Sequence, residues 1–110
     1  MNELAEVEAV DLDHARVVRV SGEIDLSNAH DVLCAIGDAV RSEATSIIVD
    51  LSGVTFLDSS GISMLFRLRA RIAHSRQDLR LVVPLDSPIR RVLELTRVAD
   101  VIPIHETLQS

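Results

Sequence analysis

The 110-residue sequence contains no lysine, tryptophan or tyrosine, and Phe56 and Phe66 are its only aromatic residues. Each absence excludes something. Without lysine the phosphate-binding loop G-x-x-x-x-G-K-[ST] cannot be written, and G-x-G-x-x-G is missing too, which argues against a nucleotide-using enzyme. With so few aromatics and a net charge of −6, the chain lacks the stacking groups and basic surface used by nucleic-acid binders. Cys34 is the only cysteine, so no internal disulfide can form. No apolar run approaches the roughly 20 residues of a membrane-crossing helix. The N-terminal MNELAEVEAVDLD is acidic and lacks the basic and apolar regions of a signal peptide. The expectation is a cytoplasmic protein that does not bind DNA or RNA.

The remaining composition is 47% hydrophobic and 25% charged, as in ordinary soluble globular proteins. This length fits one domain, 1–110, with a core of Val, Leu, Ile and Ala. No repeat, low-complexity segment or linker divides it.

The periodicities predict the order β-β-α-β-α-β-α with a possible last strand. LAEVEAV (4–10) and ARVVRVSG (15–22) read as two strands joined across DLDH, hence antiparallel. Ser27 is a candidate N-cap for a helix whose stripe is Ala29, Val32, Leu33, Ile36 and Val40. Beside that stripe Cys34 reads as a small, semi-buried apolar residue. SIIVDL (46–51) suits a central strand covered on both faces, with SGVTFL as a connector to a helix over about 59–74. LRLVV (79–83) is a further strand stopped by Pro84. Asp86 or Ser87 before Pro88 predicts the start of a third helix with Ile89, Val92, Leu93 and Thr96 on one face. VIPI (101–104) suits a short edge strand, because Pro103 removes a ladder donor. The result is a mixed α/β sheet of four to five strands, an antiparallel hairpin followed by parallel strands. If the strands step in one direction, the crossover helices lie mainly on one face.

The chemistry concentrates in FLDSSGIS (56–63), where a strand region gives way to a helix. Catalysis by its serines is disfavoured: the nucleophile elbow G-x-S-x-G is absent, and no histidine stands beside a serine with an evident orienting partner. The four histidines, His14, His30, His74 and His105, are dispersed without metal-ligand spacing and read as surface or cap residues. Neither a metal nor a cofactor is expected. Asp58 or Ser59 would cap the helix, a contribution of about 1 kcal/mol. A phosphate on one serine would also be tolerated there, since free N–H groups and the dipole favour an anion. It would add roughly −1.5 to −2 charge beside Asp58 and switch a binding surface without refolding. On a helical wheel Gly61, Met64, Leu65, Leu68 and Ile72 form the buried stripe, while Ser59, Ser60, Ser63, Phe66 and Arg67 point away. Phe66 is then either packed on a neighbouring helix or an apolar anchor for a partner. Glu23 and Asp25 of GEID would lie at the same sheet end as Asp58, where α/β folds place functional groups.

VRVSGEIDLSNA, IIVDLSGVTFLDSSGISMLFRLRARI and LRLVVPLDSPIRRVLELTRVADVIPIHETL together resemble the STAS domain of bacterial anti-sigma factor antagonists, over nearly the whole chain. The resemblance implies a protein that binds an anti-sigma factor, itself a serine kinase, and so frees a sigma factor. It implies that this kinase phosphorylates the second serine of D-S-S-G, here Ser60 rather than Ser59, and that a PP2C-type serine phosphatase reverses the step. Asp25 matches the family acid of G-E-[IVL]-D, which helps form the binding surface. The expected partner surface is Glu23, Asp25, Asp58, Ser59, Ser60, Ser63, Phe66 and Arg67, with no catalytic activity. The alternatives are a non-switching STAS subunit of a stress-sensing or lipid-transport complex and, at greater distance, a serine hydrolase.

Overall fold

The computed structural model describes residues 4–13 and 15–108. Alternating residues at the start of the chain form β1 (Ala5–Leu12) and β2 (Ala15–Ile24), an antiparallel hairpin with Leu12 opposite Ala15. Such a two-residue connection requires positive φ, and Asp13 adopts 55°. β3 (Ser46–Leu57), β4 (Asp78–Val82) and β5 (Ile104–His105) then join in parallel, in the sheet order β1-β2-β3-β4-β5. Between them run α1 (Ala29–Ala39), α2 (Ser59–His74) and α3 (Arg90–Leu95).

Because the strands step in one direction, the helices share a face. Val32, Leu33 and Ile36 of α1, Met64, Leu65, Leu68 and Ile72 of α2, and Leu93 of α3 enter one core with Val18, Val20, Ile47, Val49 and Leu81 of the sheet. Burying each large aliphatic side chain contributes about 1.5–3 kcal/mol. The alternate strand positions carry Glu6, Glu8, Arg19 and Asp50 on the other face. There Arg19 Nε lies 3.8 Å from Asp50 Oδ2, and Asp50 Oδ1 accepts from the Ser52 amide at 2.9 Å.

Several local expectations are corrected. The second strand does not stop at Gly22 but runs to Ile24. Gly22 holds φ 100°, where a Cβ would overlap the Leu4 carbonyl, and the register shifts so that Glu23 pairs with Phe56 and Ile24 with Leu57. For the same reason SGVTFL is not a connector: pairing with the prolonged β2 keeps it within β3. Ser27 is not the cap of α1. Asn28 occupies that position, and its side chain is used elsewhere. The third helix begins at Arg90 rather than at Pro88, because Ser87 Oγ accepts from the Ile89 amide in a turn. β5 begins after Pro103, at Ile104. Cys34 is exposed rather than semi-buried: at 100° per residue it stands about 140° from Ala29, past the edge of the buried stripe. His14 lies outside the described residues.

Candidate functional site: the β3–α2 junction and the groove beside it

The carboxyl ends of β2 and β3 lie side by side and each feeds a helix. Ile24 pairs with Leu57, and the Asp58 amide donates to the Ile24 carbonyl at 3.3 Å. That pairing brings the 23–28 segment against the D-S-S-G junction. Asp58 is the N-cap of α2, with extended backbone, and its Oδ1 accepts from the amides of Ser60 at 2.9 Å and Gly61 at 3.2 Å. One of the three polar residues is therefore structural. Gly61 follows because α2 sits tightly on the sheet; a Cβ there would overlap Leu57 Cδ1 and crowd Ile24 Cγ2.

Ser59 and Ser60 are the first two residues of α2. Ser59 is exposed and Ser60 half-buried. Asp58 holds the Ser60 backbone amide, so the hydroxyl is positioned by a fixed helix start.

The neighbouring segment is fixed by two side chains. Asp25 Oδ1 accepts from the Ser27 amide at 2.9 Å and the Ser27 hydroxyl at 2.6 Å. Asn28, 1% exposed, accepts from the Asp25 amide at 2.9 Å and donates to the Glu23 carbonyl at 2.8 Å. A buried amide that satisfies two backbone groups ties Glu23 and Asp25 to the start of α1. Sequence reasoning assigned Asn28 no role. The available signal was an Asn three residues after an acid, directly before a helical stripe.

The structure brings most of the expected surface together. Glu23, Asp25 and Asp58 cluster at the carboxyl ends of β2 and β3. Ser60, Ser63 and Arg67 line one wall of a groove of about 270 Å³ between α1 and α2, and Leu26 and His30 line the other. Ser63 and Arg67 are exposed, as the helical wheel predicts. Phe66 is 38% exposed on the outward side of α2 and does not line the groove. Two further apolar residues are exposed at this end: Leu26, 82% exposed in the β2–α1 turn, and Phe56, 46% exposed near the end of β3. The Cys34 Sγ lies 3.6 Å from His30 Nε2, one turn along α1. Among the described residues no group of three His, Cys, Asp or Glu side chains is placed to hold a metal ion.

A five-stranded mixed sheet with its helices on one face, and D-S-S-G starting the second helix, is a specific combination. Residues 6–110 match the STAS domain family. The chain belongs to that family. This STAS domain is 30% identical over 104 residues to the anti-sigma-B factor antagonist of Listeria monocytogenes, covering 94% of this chain and 90% of that protein. It is similar to the crystal structure of an anti-sigma factor antagonist from Mycobacterium paratuberculosis, with a TM-score of 0.83 at 30% identity over 96% of this chain and 88% of that one. It also shares its fold with the Bacillus cell fate determinant SpoIIAA in the phosphorylated form, at 21% identity and a TM-score of 0.61, covering 96% of this chain and 93% of that one. Among the described residues of this STAS domain, no helix is long and apolar enough to cross a membrane.

Proposed function

We propose that this STAS domain is an anti-sigma factor antagonist. It binds a cognate anti-sigma factor that is also a serine kinase, and phosphorylation of Ser60 switches that binding off. The observation that carries the reading is the convergence at one sheet end. The fixed acidic segment 23–25 and a capped helix start presenting Ser60 lie at the same sheet end, and Ser60, Ser63 and Arg67 continue along α2 from there. Further support comes from relatives named anti-sigma factor antagonists and from SpoIIAA, a protein of the same fold described in a phosphorylated form.

In this reading Glu23, Asp25 and Asp58 form an acidic rim that meets a basic partner surface, and Phe66 is an apolar anchor beside Ser63 and Arg67. The kinase transfers the γ-phosphoryl group of ATP to Ser60 Oγ, which gives up its proton. The product carries roughly −1.5 to −2 additional charge at the centre of the interface. Charge and bulk then oppose docking, and Ser59 is the runner-up acceptor. A PP2C-type phosphatase restores the hydroxyl by hydrolysis, releasing inorganic phosphate. The domain is a substrate and a binder with no catalytic role of its own.

The test is the affinity of Ser60→Ala and Ser60→Asp for the cognate kinase. Ser60→Ala should bind like the wild type, and Ser60→Asp should bind at least about tenfold more weakly, a change of 1.4 kcal/mol. Equal, wild-type-like affinity for both variants removes the switch and leaves a non-switching STAS subunit. Intact mass after incubation with kinase and ATP should show one added phosphate, lost in Ser60→Ala.

A further inference from the structure

We propose that a phosphate on Ser60 is captured by the chain's own Arg67 across the α1–α2 groove, with His30 as a second donor. This rests on Ser60 being the acceptor and extends it. The switch would then add a negative charge and also withdraw a positive one from the partner surface.

The groove holds the required parts. Ser60, Ser63 and Arg67 line it from α2, His30 lines it from α1, and Leu33 and Met64 line it between them. Arg67 is seven positions after Ser60, which is about 10 Å along the axis and about 20° around it. Helical side chains lean toward the N-terminus, so the long Arg67 stem is directed toward Ser60. Ser63 stands between them on the same wall. Among the described residues no hydrogen bond or ion pair engages the Arg67 guanidinium.

A cationic partner would offset the acids at this end of the fold. A phosphate dianion on Ser60 would stand beside the Asp58 cap and near Asp25, with Asp31 following His30 on α1. The first turn of α2 carries no basic residue. Arg67 and His30 are the cationic or protonatable side chains lining the groove. A guanidinium binds phosphate through two parallel N–H donors, and the partly apolar groove strengthens such a contact relative to open water. His30 Nε2 faces Cys34 Sγ at 3.6 Å, a weak contact that a phosphate would displace.

The test uses the isolated domain with phosphoserine installed at 60 by genetic encoding, so no kinase or partner enters. The phosphorus NMR shift is followed against pH in this protein, in Arg67→Ala, in His30→Ala, and in Arg91→Ala as a control on the exposed side of α3. Glu23, Asp25, Asp31, Asp58 and His30 are the other ionisable groups at this end of the fold. Capture favours the dianion, so the second phosphate ionisation should move up by about half a pH unit or more in Arg67→Ala, roughly threefold. Arg91→Ala should match the unsubstituted phosphoprotein, and His30→Ala should move less than Arg67→Ala. The Arg67 Nε–H resonance should also shift on phosphorylation. An Arg67→Ala titration that overlays the unsubstituted phosphoprotein overturns the proposal, as does an unmoved Arg67 resonance. A His30→Ala titration that overlays it strikes His30 from the capture site. Loss of the partner switch in the Ser60 variants would instead count against the proposed function, so the two failures are distinguishable.

Discussion

At the scale of single residues, the D-S-S-G motif divides into structural and available parts. Asp58 is used by the fold: its carboxylate holds two amides of the first helical turn. Asp58→Ala should lower stability by about 1 kcal/mol, whereas Asp58→Asn, an equally good cap, should stay within a few tenths by denaturant titration. Any loss of partner affinity in Asp58→Asn then reports the charge alone. Gly61 is used as well. Replacing it with Ala improves helix propensity by about 1 kcal/mol, but the new methyl meets Leu57 and Ile24 where α2 touches the sheet. Overpacking typically costs about 1–3 kcal/mol, so Gly61→Ala should be destabilised and show a lower melting temperature. Ser59 and Ser60 remain, and between them Ser60 lines the groove.

At the scale of elements, the proposed binding surface depends on how β2 leads into α1. Asn28 is the latch: it bonds the amide of Asp25 and the carbonyl of Glu23 from a buried position. Asn28→Ala leaves both without their partner and should cost about 1–3 kcal/mol. Hydrogen exchange should show the Asp25 amide losing protection in that variant. Leu26 lies on the same turn with most of its surface in solvent, and Phe66 projects from α2. Exposed apolar residues beside a groove are candidate anchors. Leu26→Asp, at a site 82% exposed, should leave stability within about 0.5 kcal/mol, whereas Phe66→Asp also gives up the packed part of the ring and should cost about 1–3 kcal/mol. Each should weaken binding to the anti-sigma partner by about tenfold or more in a calorimetric titration. Wild-type affinity in both would move the apolar contact elsewhere.

At the scale of the whole molecule, one core unites three helices and a sheet. Leu68 is fully buried in it, and Leu68→Ala should destabilise by about 2–5 kcal/mol. With a single core, fluorescence-independent probes such as circular dichroism and hydrogen exchange should report one shared unfolding transition. Two separate transitions would contradict that unity.

The hairpin, the α2 stripe and the order of elements were legible in the chain because each rests on a local period: two for a half-buried strand, 3.6 for an amphipathic helix. The outward face of α2 could be read in the same way, whereas Glu23 and Asp25 were placed by the expected strand order and by the family resemblance. What only the tertiary structure decided lies where distant segments meet. The ends of β2 and β3 prolong each other by pairing, so Gly22 and Ser52–Gly53, which read as breaks, become strand. Asn28 rather than Ser27 stands at the start of α1, with its side chain turned back to the Asp25 amide and the Glu23 carbonyl, while Ser27 bonds Asp25. Cys34 faces solvent because α1 rotates its stripe onto the sheet. The groove that joins Ser60 to Arg67 and His30 also exists only after α1 and α2 pack side by side. Local pattern encodes which face a residue takes, whereas pairing and packing between remote segments determine what it meets there.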